Sequence, residues 1–471
     1  MKRKTILLMF AVIVVLSICL VSLSIAAVPP PPITYKTTFV KLGDGVPGVL
    51  YEPGTPGPKS QIAILAMHQR SDMLQFSAGY DAYGLANRGY TVLCANPSTS
   101  KSGFISDFDH DKMLSEVKLA VAYLRKYSGI TKVVLLGHSG GGGLMSSYQN
   151  IAENGPSICQ GPEQMVKCPD TLAGLPKADG LMLLDSTIGT GGMTLLSLDP
   201  AVVSEVNAQV LNPGLDMYNP KNGFNPTVDA NKIPNGSTYT DKFILHFLDK
   251  EKERMNDLIE KALDRLETIK AGKGRFSDDE PFIVPAGSFA AANNRLFMQD
   301  LRLWHQTRNK WPLLKDGGIK TPPQIIQSVR VPKNMASPTP TLGTGGLTTT
   351  VRRFLSSFAL RATDGYGYDE DSLYGIDFAS SYNSTPFAVE GVTVPLLELG
   401  MTGSHEFFMQ ETIFGHAKSA DKELAYVEGA NHPFTTCTPC QTKWGESYGN
   451  TLKTTYDYVD GWLSTPGRFL P

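Results

Sequence analysis

The residues Gly137-His138-Ser139-Gly140-Gly141 follow directly on a strand-like run, Lys132 to Leu136, and lead into a helical pattern from Gly142. Glycines on both sides of a serine, between strand and helix, describe a turn too tight for flanking side chains. Such a turn lifts the serine hydroxyl above the sheet and sets it at a helix N-terminus, where developing negative charge is favoured. The chemistry expected is nucleophilic attack by Ser139 on an acyl carbon. The strand before and the helix after argue against the alternative of a phosphate-binding glycine turn. A serine hydroxyl needs a base to take its proton. Among eight histidines, His432 in Gly429-Ala430-Asn431-His432 lies just past a strand near the C-terminus, which satisfies the order serine, acid, histidine. His138 sits inside the elbow and is expected to point away. His246 and His305 fall in an irregular middle segment, and His405 and His416 precede the final strand.

These residues need a scaffold, and residues 35–185 alternate strands with helices. Thr37 to Leu42 and Gly48 to Tyr51 read as a hairpin. Gln61 to Met67, Tyr90 to Ala95, Lys132 to Leu136 and Gly180 to Leu184 are apolar runs of strand length. Helical patterns occupy Phe76 to Arg88 and Asp111 to Tyr127. From Ser186 to Val392 the pattern becomes loop-rich, with a charged helix over Asp249 to Lys270 and a Ser/Thr/Pro/Gly stretch over Ala336 to Thr350. Alternation returns with Val394 to Leu399, Gln410 to Ala420, Leu424 to Val427 and a last helix, Gly449 to Leu463. The fold class expected is α/β: a mostly parallel sheet with helices on both faces. A core in two parts, 35–185 and 393–471, is interrupted by a cap, 186–392, inserted before the last two core strands.

The elbow, the Gly-Ala-x-His ending and the strand spacing together resemble the α/β-hydrolase superfamily of serine esterases, over residues 35–185 and 394–465. The resemblance implies a carboxylic-ester hydrolase with a cap that shapes the substrate pocket. Members of that family carry an Asp in the turn after the penultimate strand. Here the turn reads Gly400-Met401-Thr402-Gly403-Ser404-His405-Glu406, so Glu406 is the implied acid and Asp185, at the end of the preceding strand, is the alternative. Glu398 and Glu411 are further carboxylates nearby. The implied oxyanion hole combines the N–H of Gly140 with one from Met67-His68-Gln69-Arg70, where the family's His-Gly pair maps the donor onto Arg70. Gln69 replaces the usual glycine, so both Gln69 and Arg70 stand as candidates, and His68 is expected to be structural.

The chain has 471 residues, 41% hydrophobic and 19% charged, with formal net charge −2. No clustered basic face accompanies that balance, so no nucleic-acid partner is expected. Lys2, Arg3 and Lys4 precede an apolar run from Ile6 to Leu23, and Ser24-Ile25-Ala26 offers a cleavage site. Residues 1–26 read as a signal peptide and 27–34 as a proline-rich stub, placing the body in the periplasm or outside the cell. An uncleaved membrane anchor is the alternative. In an oxidising compartment Cys159 with Cys168 and Cys437 with Cys440 are natural local disulfide pairs, leaving Cys94 as a buried thiol. Asp107, Asp109, His110 and Asp111 precede a helix; Asp109 or Asp111 reads as its cap and the others as solvated, not as metal ligands. No metal or cofactor is expected. The partner expected is a small-molecule or polymeric ester; Trp304, Trp311, Phe354 and Tyr366 suggest an apolar pocket, or else form the core of the cap. Amide hydrolysis on the same fold, or a decayed hydrolase-like binding protein, are the competing functions.

Overall fold

The computed structural model describes residues 35–74, 82–98, 107–207, 210–289, 295–333 and 345–471. The expected signal peptide and proline-rich stub lie outside the described residues, as do the start of the Phe76 to Arg88 helix and most of the stretch from Ala336. Strands β1 (Tyr35–Gly43) and β2 (Val46–Pro53) form the hairpin, followed by β3 (Ile62–Ala66), β4 (Thr91–Ala95), β5 (Lys132–Ser139) and β6 (Gly180–Ser186). Two short strands, β7 (Leu313–Lys315) and β8 (Ile319–Lys320), precede β9 (Leu396–Met401) and β10 (Lys422–Val427). All ten join one sheet in the order β1-β2-β4-β3-β5-β6-β9-β10-β7-β8, parallel from β4 through β7. That order, with a sharp serine turn after β5, is the α/β-hydrolase fold.

The central strands are apolar throughout because both faces are covered. Ile62, Ile64 and Ala66 face one layer with Val134, Leu136, Met182 and Leu184, and there they meet Tyr456, Val459 and Trp462 of the last helix (Thr451–Leu463). Ala63 and Leu65 face the other layer with Val133, Leu135, Leu181 and Leu183. That face is closed by α1 (His110–Lys126) and α2 (Gly141–Asn154). At roughly 1.5–3 kcal/mol for each fully buried Leu, Ile or Val, this two-sided burial is the largest stabilising contribution to the scaffold. Asp109 caps α1 by accepting from the Lys112 N–H at 3.0 Å, while Asp107 pairs with Arg353 at 2.7 Å and Asp111 accepts from the Tyr382 hydroxyl. The acidic run thus works as cap and tether.

Residues 187–395 connect β6 to β9. Their main element is α3 (Asp241–Lys270), eight residues longer at its start than the sequence pattern suggested. The Thr240 side chain accepts from the Phe243 N–H and so extends the helix back to Asp241. Phe247, Met255, Leu258, Ile259 and Leu266 of α3 belong to the same buried cluster as Leu65 and Leu135 of the sheet, so this segment shares the sheet's core. The connection also departs from expectation: β7 and β8 extend the main sheet beyond β10. At three and two residues, these strands are too short to leave a period in the sequence. The remaining strands of the connection pair two by two outside the main sheet, as Gln306–Trp311 with Gln324–Gln327, Pro281–Val284 with Leu347–Thr350, and Arg361–Tyr368 with Leu373–Asp377.

Two disulfides are present, Cys159–Cys168 beyond the end of α2 and Cys437–Cys440 just past the His432 loop, and Cys94 is buried and free. No helix among the described residues is long and apolar enough to cross a membrane.

Candidate active site

Ser139 closes β5 with φ of 53°, a left-handed conformation uncommon for a residue with a side chain. The turn is held by close backbone approach. A Cβ on Gly137 would lie 2.7 Å from the Gly141 carbonyl oxygen, and one on Gly141 would lie 2.6 Å from that of Met67. The Ser139 carbonyl accepts from the Thr187 N–H at 3.1 Å, which ties the elbow to the end of β6. There Asp185 is also left-handed, with φ of 47°. Backbone strain at two adjacent strand ends is the kind that persists where surrounding structure over-determines a site.

Ser139 and His432 line one cavity of about 290 Å³, together with His68, His138, Glu406 and Arg295. The Ser139 hydroxyl makes no hydrogen bond among the described residues. Nucleophile–base bonds of this kind often tighten only around substrate. The loop presenting His432 is fixed by Gly403 N–H to the Ala430 carbonyl at 2.8 Å, Cys437 N–H to the Gly429 carbonyl at 2.8 Å, and Asn431 N–H to the Thr435 carbonyl at 2.9 Å. The Cys437–Cys440 disulfide packs against Gly403, where a Cβ would lie 3.2 Å from Cys440 Sγ.

Sequence reasoning set Asp185 and Glu406 in competition, but both lie against one nitrogen. His432 Nδ1 is 2.6 Å from Asp185 Oδ2 and 2.9 Å from Glu406 Oε2. One N–H can point along only one of these directions, and the aligned hydrogen bond is the one to Asp185. Asp185 is fully buried and also accepts from the Ser404 hydroxyl and, at 3.3 Å, from the Met401 N–H. Glu406 Oε2 has no aligned donor, and its Oε1 lies 3.3 Å from His405 Nε2. Glu398 and Glu411 are elsewhere. Glu398 is buried in β9 without partners, and Glu411 accepts from the Arg308 and Asn309 N–H groups and the Trp311 indole.

Charge follows from this packing. Burial alone would lower the His432 pKa, but the Glu406 charge and then the Asp185 hydrogen bond raise it from 6.5 to about 10. Burial likewise pushes Asp185 up to about 6, against the opposing pull of His432. Glu406 is held well below the usual carboxylate range, because the His432 and His405 charges overcome its burial. Burial lowers His68 to about 3 and holds His138 well below its ordinary 6.5, so both are neutral. His138 departs from the expected outward orientation. It lines the cavity, lies tilted with its ring centroid 4.4 Å from that of His432, and donates from Nε2 to the His432 carbonyl at 3.0 Å, a partner that can only accept.

The two oxyanion candidates separate. The Arg70 N–H donates to His68 Nδ1 at 2.8 Å, and the Ser71 N–H donates to the same atom at 2.9 Å. This use of the Arg70 donor corrects the expectation from the family pattern, and it is the structural role of His68. Gln69 follows His68 directly and approaches Gly140, with its side-chain oxygen 3.4 Å from where a Gly140 Cβ would stand. Its side chain donates to Asn383 at 2.8 Å beside His110. Gln69 and Gly140 both line the cavity, and Gly140 is the N-cap residue of α2.

Of the two readings of the four aromatics, the structure agrees with a place in the core rather than in the pocket wall. Trp304 stacks on Phe408 and Tyr368, Phe354 packs on Phe282, Tyr366 donates to Glu251 at 2.6 Å, and Trp311 binds Glu411. None of the four lines the cavity; Phe289 and Met193 are its apolar groups. Ser404, Phe289, Met193 and Arg295 were not found by sequence reasoning, since isolated residues in loops leave no periodic or motif signal. Among the described residues, Asp185, Glu406 and His432 alone form a cluster with metal-binding spacing, their donor atoms lying within 4.8 Å of one another. The same atoms already form the acid–imidazole cluster.

No protein-family model matches the chain, and no curated protein matches its sequence. Among solved structures the chain is similar to Est1E from Butyrivibrio proteoclasticus, at 10% identity over 91% of this chain and 97% of that one, with a TM-score of 0.35. It is also similar to the siderophore hydrolase EstB from Aspergillus fumigatus, at 11% identity over 92% and 99%, with a TM-score of 0.41. A hypothetical protein from Pseudomonas aeruginosa matches at 13% identity over 92% and 94%, with a TM-score of 0.39.

Proposed function

We propose that the chain is an exported serine hydrolase that cleaves carboxylic esters through an acyl-enzyme intermediate, with the insertion 186–392 acting as its cap. The observation that carries this reading is the imidazole of His432, hydrogen-bonded through Nδ1 to a buried carboxylate and facing the cavity of a serine held in a left-handed turn. With Nδ1 committed to Asp185, Nε2 is the nitrogen that takes the Ser139 proton. The freed oxygen attacks the ester carbonyl, and the oxyanion is met by the N–H groups of Gly140 and Gln69. Collapse expels the alcohol with the proton from His432. A water, activated by the same nitrogen, then releases the acid and restores Ser139. Two local disulfides and the sequence of residues 1–26 support export.

A fluorophosphonate label tests the reading directly. It should modify the intact chain and leave a folded Ser139→Ala variant unmodified; an unlabelled, folded intact chain would sink the proposal and favour a binding role. Matched p-nitrophenyl esters and p-nitroanilides separate ester from amide cleavage, and esters should be turned over faster.

A further inference from the structure

Arg295 is 2% exposed and stands in the wall of the cavity that holds Ser139. Its Nε donates to the Ser197 hydroxyl at 2.9 Å and one terminal nitrogen donates to the Phe289 carbonyl at 2.8 Å. The other terminal nitrogen, Nη1, is buried and has no hydrogen-bond partner. Arg254 pairs with both Glu205 oxygens and donates to the Asp199 and Pro285 carbonyls, with no nitrogen left over. Arg330 spends both terminal nitrogens on backbone carbonyls and leaves only Nε without a partner, and neither of these two guanidinia lines the cavity, whereas Arg295 does. A buried cation with an idle donor is costly unless an acceptor arrives. Burial lowers the Arg295 pKa from 12.5 to about 10, which still leaves it charged at neutral pH.

Glu406 in the lining and the buried Glu251 act on that charge from a distance, but neither forms an ion pair with it among the described residues. Arg70 is a second guanidinium in the lining, set 5.8 Å from the Phe289 ring. Glu406, the lining carboxylate, is already engaged by His405 and His432. At about 290 Å³ the space is small and suits a short substrate.

We propose that the ester taken by this site carries a free carboxylate, one oxygen of which accepts from Arg295 Nη1. This rests on the hydrolase reading above and names its substrate class. With a single idle nitrogen, the carboxylate binds end-on and not as a two-pronged fork.

The test compares charged esters with methyl-capped partners in the full chain. One pair is p-nitrophenyl hemisuccinate or hemiglutarate against its methyl ester, which places the charge on the acyl side. The other is an O-acetyl hydroxy acid against its methyl ester, which places it on the alcohol side. In at least one pair the carboxylate should raise kcat/KM by ~10-fold or more, as expected for a charge-assisted hydrogen bond made in a dry site. Arg295→Met should bring that ratio to about one, and Arg295→Lys should retain part of it.

Because Arg295 also braces Ser197 and Phe289, a binding measurement guards against misfolding. Succinate or glutarate should raise the melting temperature of Ser139→Ala, and succinamide, in which both carboxylates are replaced by neutral amides, should not. No preference for either charged ester, in a chain whose Ser139 takes the fluorophosphonate label, overturns the carboxylate subsite while the hydrolase stands. A folded chain that neither labels nor cleaves any of the esters removes the hydrolase reading itself.

Discussion

Asp185 and Glu406 reach the same imidazole nitrogen from two turns, one after β6 and one after β9, and they are held in different ways. Asp185 is locked by three donors, from His432, Ser404 and Met401, on a strained backbone. Glu406 has no aligned hydrogen bond at Oε2 and acts through its charge at 2.9 Å. One carboxylate therefore supplies direction and the other supplies field. Direction fixes the tautomer that leaves Nε2 free to work, whereas field sets how tightly the imidazole keeps its proton.

The largest expected effect comes from removing direction. Asp185→Asn should reduce kcat by roughly 10³–10⁴-fold, the scale of a lost orienting acid. Glu406→Gln should cost roughly 10-fold. The reverse order would make Glu406 the orienting acid and Asp185 the bystander.

The second effect is on pH dependence. His432 must be neutral to accept a proton, and its pKa is raised above 6.5 with Glu406 as the largest raising cause. The acid limb of the kcat/KM profile should therefore lie on the alkaline side of 6.5, with activity rising as pH rises through it. Glu406→Gln should move that limb towards lower pH, so the variant loses least activity, relative to the intact chain, at the acid end. A limb that does not move would show that the Glu406 charge is not felt at the ring.

The competition between these acids could not be resolved from residue order, and the reason is geometric. Strands β6 and β9 are parallel neighbours, with Leu184 beside Leu399, so their C-terminal turns emerge side by side. A sequence gives the order of turns but not the register that superposes them. The elbow was legible because close backbone packing admits only glycine at Gly137 and Gly141, and the central strands because burial on both faces demands continuous apolar runs. Arg295 was not legible. Its meaning lies in one nitrogen without a partner, which depends on where Ser197 and Phe289 fall around it.

A smaller effect should follow from Ser404, whose hydroxyl donates to Asp185 and whose oxygen also accepts from the Glu406 N–H at 3.1 Å. It links the two turns. Ser404→Ala should lower kcat by about 10-fold, the consequence of leaving a buried carboxylate one donor short. It should also lower the difference between Asp185→Asn and Glu406→Gln, because both acids lose their common anchor. An unchanged rate would show that Met401 and His432 suffice to hold Asp185.

The two disulfides give the smallest effect and the finest contrast between regions. Cys159–Cys168 spans nine residues of sequence and Cys437–Cys440 spans three. Loop-closure entropy then favours the first as a stabiliser, at roughly 3 kcal/mol against roughly 2. Activity should rank them the other way. Cys437 donates its N–H to the Gly429 carbonyl in the loop of His432, and the bridge packs on Gly403 in the turn of Glu406. Paired Cys→Ser variants should show it. Loss of Cys159–Cys168 should lower the melting temperature more and leave kcat/KM within about twofold, whereas loss of Cys437–Cys440 should lower it less and reduce kcat/KM several-fold. If both pairs change stability and rate in the same proportion, the second bridge braces the fold at large and has no special hold on the imidazole.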